Sequence, residues 1–411
     1  MSDDALRALA AEAGFQPRWT DNEGVDREVS ADTLRASLAA LGLFAQSAAQ
    51  IADTRARLVS ERAAATLPSL LVAQQGGRVA LGRARSGAHV RIEYELGGAA
   101  DLRVDEEGLL PRLDRAGYHR LHTEDREITL AIAPPIARTL GEAAGGGRMW
   151  GLAAQIYGLP SKGDGGIGHF GAVAQLAESA ARRGADLIAL SPAHALFLAD
   201  ENHYTPYSPS SRLFYNALYA DPADVFGAER VAPIAARIES DAPAASTLID
   251  WPWAARARTR LLRALYEDFC ATDLKSSSSL AADFFAFRAQ GGEALEAHAL
   301  FEALHAHEFR RDFTKWSWRD WAPELRDPAS RAVANFARDN CGETGFHVFA
   351  QWLADRSMAR AQGRALAAGM RVGLLSDLAV GMNAGGSHAW SRPEDVLLGL
   401  SMGAAPDMEG L

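Results

Sequence analysis

Between Met149 and Leu190 the chain reads as an apolar run, a glycine-rich loop, an alanine-rich helix and a second apolar run. Met149 to Tyr157 is strand-like, and the spacing from Phe170 to Arg183 predicts a helix that Gly184 ends. Asp186 to Leu190 is a short apolar strand closing on Ser191-Pro192. Two strands joined through one helix lie parallel, because the crossover returns the chain to the same end of the sheet. A third such run, Arg371 to Leu375, follows a helical tract from about Trp251 to Gly369 and delivers Asp377 at its end. The expectation is an α/β fold whose ligand face is the carboxyl edge of a parallel sheet.

The 411 residues exceed one ordinary domain. Residues 1–60 read as a helical segment, with a helix from Ser30 to Leu41 capped by Ser30 and Asp32 and stopped by Gly42. Residues 61–133 change period to two: Val90, Ile92, Tyr94 and Leu96 alternate with Arg91, Glu93 and Glu95. With Gly76-Gly77 read as a hairpin turn, this predicts a small β-domain of sandwich type. Residues 134–148, with Pro134-Pro135 and Gly141 to Gly147, form a linker, and 149–411 form the second domain.

Composition removes partners. A net charge of −10 argues against nucleic acid, whose phosphates favour a basic surface. No run approaches the roughly 18 apolar residues of a membrane-spanning helix. Two cysteines, Cys270 and Cys341, build no disulfide scaffold, and a cytoplasmic setting is expected.

Gly163, Gly165 and Gly168 spell G-x-G-x-x-G, the nominal dinucleotide fingerprint. Pro160, Ser161 and Lys162 separate it from the strand, and the next strand begins rather than ends with its acid, Asp186. The loop is therefore read as an ordinary βα-loop. Glu302 and His305 make one E-x-x-H, with His298, His307 and Glu308 close by. A bundle-type dimetal site needs a second such motif, so a solvated helix face is expected, and no metal or other cofactor. Trp316, Trp318 and Trp321 are read as seam residues rather than a sugar platform. The segment His203 to Arg212 follows the second strand with two phenols, several hydroxyls and a guanidinium on a proline-stiffened backbone. That chemistry suits a ligand rich in hydroxyls, and Asp377 lies at the same sheet edge.

Four stretches together resemble a known family: RMWGLAAQIYGLPSKGDGGIGHFG, TPYSPSSRLFYNALYADP, FHVFAQWLADRSMARAQGRALAAGMRVGLLSDLAVG and GAAPD. They resemble the 4-alpha-glucanotransferases, the amylomaltases or disproportionating enzymes of the amylase superfamily, in order and spacing. The resemblance covers about Arg148 to the C-terminus, and residues before it look like the N-terminal extension of longer bacterial members. It implies a (β/α)8 TIM-type barrel of which the first three strands are present, with a helical insert at about 222–369. The implied activity is transfer of α-1,4-glucan segments between maltooligosaccharides by a retaining double displacement that needs no cofactor. On that map Tyr207 matches the sugar-stacking tyrosine and Asp377 the aspartate that supports the donor site. Thr205 stands where the family usually has serine.

Retention needs two carboxylates about 5–5.5 Å apart. The family's nucleophile lies in an R-I-D-H-type motif after strand four, its acid/base after strand five, and a third aspartate in an H-D motif. None of these motifs occurs here, so the resemblance implies an isolated chain without its catalytic pair. A non-catalytic α-glucan-binding protein is the alternative, and a nucleotide-binding enzyme a third reading. Three strands of an eight-strand barrel also leave an open edge and an uncovered apolar face. Self-association, or completion by a further C-terminal polypeptide, is the expected consequence.

Overall fold

The structure is a computed structural model that describes residues 3–21, 23–63, 67–137, 139, 141–142, 145–161, 164–239, 241, 248–397 and 400. It divides into two compact units, the first running to residue 140 and the second covering residues 141–398.

The first unit holds two cores. Helices Asp3–Glu12, Ala31–Ala40 and Ala48–Ala63 bury Leu6, Leu9, Leu34, Leu38 and Ile51. Ser30 caps the second helix by accepting from the Thr33 amide, and Gly42 follows it at φ +70°. A short antiparallel pair, β1 (Arg18–Thr20) and β2 (Asp26–Glu28), separates the first two helices. Five further strands follow: β3 (Leu70–Gln74), β4 (His89–Glu93), β5 (Ala99–Arg103), β6 (Gly117–His122) and β7 (Glu127–Ala133). They form one sheet in the order β3-β7-β6-β4-β5. The expected sandwich is corrected here. Among the described residues the second layer is only a bridge between Ala80 and Leu109, and loop residues Val79, Leu81, Val104, Leu110 and Leu113 cover the apolar face. Gly76-Gly77 turns the chain but makes no hairpin, since β3 pairs parallel with β7.

The second unit contains a three-stranded parallel sheet in the order β12-β9-β8. Its strands are β8 (Gly151–Ala154), β9 (Leu187–Leu190) and β12 (Gly373–Ser376). A short antiparallel pair, β10 (His194–Ala195) and β11 (Ser211–Tyr215), stands beyond the carboxyl end of β9. Asp186 sets the register at the other end. Its backbone exchanges hydrogen bonds with Trp150, Val372 and Gly373. Its carboxylate accepts from Arg371 at 2.6 Å, which lowers its pKa, and from the Trp150 amide.

The two faces of this sheet differ. Ile188 and Leu190 of β9 are buried against helices Phe170–Ala181 and Cys341–Ala367 within one core. On the other face, Ala153, Leu187, Ala189 and Leu375 are all at least partly exposed. The outer edges of β8 and β12 have no strand partner among the described residues.

The helical tract is not continuous. Its main pieces are Trp251–Phe269, Ser279–Arg311, Arg331–Asp339 and Cys341–Ala367, started by the side chains of Asp250, Ser278 and Ser330 in the first three cases. Gly292, at φ 51° and ψ −147°, kinks the second. Phe349 joins its own helix to the Trp251–Phe269 helix and to Phe226, touching Phe226, Tyr266, Phe269 and Trp352 with no exposed surface. Among the described residues, no helix is long and apolar enough to cross a membrane. Phe349→Ala is expected to cost about 3–5 kcal/mol of stability, read as a lower urea midpoint by tryptophan fluorescence.

Candidate functional site

The carboxyl edge of the sheet carries three loops, and each can be traced from its residues. After β8 comes the glycine-rich loop. Lys162 and Gly163, the first glycine of the fingerprint, lie outside the described residues. The rest of the loop wraps a buried carboxylate. Asp164 accepts from the amides of Ser161, Gly166 (2.6 Å) and Gly168 (3.1 Å), and from the Ser161 hydroxyl. Amides that would cradle a phosphate are thus already occupied by the chain's own anion. Gly168 stands at φ +67°, and a Cβ there would collide with the Ile156 carbonyl oxygen.

Next to it, Ser161 Oγ lies 2.8 Å from His169 Nε2, and His169 Nδ1 lies 3.4 Å from Asp221. This resembles a nucleophile-base-acid relay, but the tautomer is wrong. Nδ1 accepts from the Ala172 amide as the cap of the Phe170–Ala181 helix, so the proton is on Nε2 and is donated to Ser161. Burial holds His169 below the usual histidine range, against the opposing pull of Asp221. The cluster anchors the helix.

The loop after β9 places Tyr207 on the surface, 62% exposed, between buried Pro206 and Pro209. Thr205 is also exposed. Tyr204 lies flat on Trp251, with ring centroids 4.7 Å apart and planes 5° from parallel. Asp377 follows β12 directly and is exposed. Two side chains join the loops bearing Tyr207 and Asp377. Arg212 donates to the carbonyls of Ala379 and Val380, each at 3.1 Å. Asn383 donates from its backbone to Pro209 O and from its side chain to Ser208 Oγ.

His194 was not singled out by sequence reasoning. It accepts from the Ala379 amide at 3.2 Å. Burial and then Arg212 lower its pKa, with Asp377 acting in the other direction. Its only sequence signal was position, four residues past the end of a buried strand at the ligand edge.

The tryptophan cluster contacts the loops of this edge. Trp318 and Trp321 are buried with Phe197, Phe301 and Trp390. Trp316 donates to Asp200, and Trp318 to the Ala384 carbonyl. The E-x-x-H expectation is corrected: His298, Glu302, His305 and Glu308 are all buried, so this helix face is not solvated. Among the described residues no three potential ligand side chains come together as a metal site.

Replacing Asp164 by Asn removes an acceptor for buried amides and is expected to cost about 1–3 kcal/mol, measured by urea unfolding. Calorimetric titration of the unmodified chain with NAD or ATP is expected to be flat. Saturable heat would show that the loop opens to take a phosphate.

The glycoside hydrolase 77 family model, described as 4-alpha-glucanotransferase, matches residues 154–410. The 4-alpha-glucanotransferase of Mycobacterium tuberculosis is 31% identical over 98% of this chain and 59% of its own length. That of Haemophilus influenzae is 28% identical over 72% of this chain and 44% of its own. The crystal structure of amylomaltase from Corynebacterium glutamicum superposes with a TM-score of 0.70 at 26% identity, covering 94% of this chain and 56% of that one. The chain thus spans less than two thirds of the relatives it matches, and it belongs to the 4-alpha-glucanotransferase family, with the α/β fold of that family.

Proposed function

We propose that this chain carries the sugar-side loops of an enzyme that transfers α-1,4-glucan segments between maltooligosaccharides. The observation that carries the reading is the tether at the sheet's carboxyl edge, where Arg212 and Asn383 bind the Tyr207 loop to the segment after Asp377. Tyr207 offers an exposed aromatic face for a sugar ring, Thr205 a hydroxyl beside it, and Asp377 a carboxylate to accept from sugar hydroxyls. Family membership supplies the substrate class, α-1,4-glucans.

The chemistry is a retaining double displacement in a (β/α)8 barrel, with no cofactor required. A nucleophile and an acid/base must face each other across the glycosidic oxygen. Sequence motifs for that pair are missing here, and we infer that the isolated chain binds glucans without turning them over. The alternative, a dedicated non-catalytic α-glucan-binding protein, shares this behaviour. Two free cysteines fit a cytoplasmic setting.

The open sheet face, with Leu375 half exposed and Leu378 and Val380 further out, fits a surface that a partner covers. Either a second copy or a polypeptide supplying the remaining strands would serve.

Three outcomes are expected. Incubation of the folded chain with maltotriose gives no glucose and no longer oligomers by chromatography; products would mean a working carboxylate pair lies within these residues. Tyr207→Ala weakens maltoheptaose binding about 5- to 10-fold by calorimetry, the loss of one stacked ring. Size-exclusion with light scattering shows self-association, and a stable monomer would count against the open-face reading.

A further inference from the structure

The loop bearing Tyr207 leaves the core at Leu198 and returns at Ser210, and one buried side chain holds both points. Glu302, on the Ser279–Arg311 helix, accepts from the Leu198 amide at 3.2 Å through Oε2 and from Ser210 Oγ at 3.5 Å through Oε1. Ser210 Oγ in turn accepts from the Ser387 amide at 2.9 Å, and Ser387 Oγ pairs with His298 Nδ1 at 2.8 Å. The His388 amide donates to the Ser210 carbonyl. The approach is tight enough that a Cβ on Gly386 would collide with Ser210. Glu302, Ser210, Ser387 and His298 are each at most 3% exposed.

We propose that Glu302 is the positioning residue of the sugar-side loop: through the Leu198 amide and the Ser210 hydroxyl it closes both ends of the excursion that presents Tyr207, and Ser387 braces the second end. The proposal rests on the glucan-binding reading of that loop only for its effect on affinity. The clamp itself stands on geometry.

The surroundings decide the clamp's charge. Glu302 lines a pocket of about 40 Å3 that extends to the Tyr204 and Trp251 rings and has room for a few waters. His298 on its own helix, Asp200, Glu201 and His203 from the loop, and His347 from the Cys341–Ala367 helix share that cavity, with Tyr204, Tyr215 and Tyr219. No lysine or arginine lines it among the described residues. His305 is buried one turn further along the helix. Burial pushes His298 down to about 3 and His305 down to about 4, and lowers His347, so none of these three imidazoles offsets a carboxylate at neutral pH. Burial likewise raises Glu302 to about 8, against the pull of the Leu198 amide and Ser210.

The clamp is therefore a neutral carboxylic acid when closed, while an opened loop hydrates the group and returns it to its ordinary 4.5. The sign follows from linkage. The closed state is most favoured below about pH 4.5, loses ground as pH rises toward 8, and changes no further above 8.

The experiment is amide hydrogen exchange at Ser387 and His388, corrected for intrinsic rate, in the full chain between pH 5 and 8, alongside maltoheptaose calorimetry. Unmodified chain is expected to lose protection as pH rises, by up to tenfold per pH unit. Glu302→Gln, a permanent neutral stand-in, is expected to keep its protection across the range. Ser210→Ala, which leaves Glu302 in place, is expected to exchange faster at Ser387 at every pH, and to bind maltoheptaose about tenfold more weakly. A merely structural glutamate would give Glu302→Gln the same pH slope as the unmodified chain, and that result overturns the proposal. Protection that follows the predicted pattern in a chain with no maltoheptaose affinity would uphold the clamp and refute the glucan reading instead.

Discussion

The Cys341–Ala367 helix supplies hydrogen bonds that the sheet lacks, and the placement of the site depends on them. A buried irregular segment must find partners for its backbone groups, or bear a penalty for each one left open. Three polar residues of this helix meet that demand in pairs. Gln351 bonds both the amide and the carbonyl of Tyr215. Ser357 does the same for Asp221. Gln362 accepts from the Leu374 amide and donates to the Val372 carbonyl. The first contact fixes the end of β11 and with it Arg212; the last fixes β12 and with it Asp377. Geometry at the carboxyl edge is thus inherited from one helix packed on the buried face of the sheet.

Two buried carboxyls then shape the loops in different ways. Asp164 is satisfied locally, by amides of its own turn, and turns a glycine-rich sequence into a fixed corner. Glu302 reaches across 104 positions to Leu198 and 92 to Ser210, so it joins segments rather than shaping one. The first has dense amide donors around it. The second has few, and burial dominates its protonation.

The parallel sheet was legible because its strands are short apolar runs punctuated by Gly184, Ser191-Pro192 and Asp377. Period and punctuation are local properties. So was the loop from His203 to Arg212, whose prolines and phenols cluster within ten positions of each other. What was not legible depends on long-range packing. The helix face bearing Glu302 and His305 reads as polar and hence solvated, yet the loop from Leu196 to Ser210 and the Trp316–Trp321 turn cover it. His194 gains its role only when the Ala379 amide is folded against it. The β-domain alternates as a half-buried sheet should, but alternation is silent on whether loops or a second sheet cover the apolar side, and here loops do. Likewise G-x-G-x-x-G specifies a turn, while its ligand is set by Asp164, a residue the pattern leaves unspecified.

We propose that the loops after β9 and β12 form one glucan-facing edge. The most direct measurement is a crystal structure of the chain grown with maltoheptaose. A glucan-facing edge puts a sugar ring on the Tyr207 face and sugar hydroxyls within hydrogen-bond reach of Asp377. Glucan bound elsewhere with both residues free, or a saturated crystal with no glucan at this edge, would contradict it.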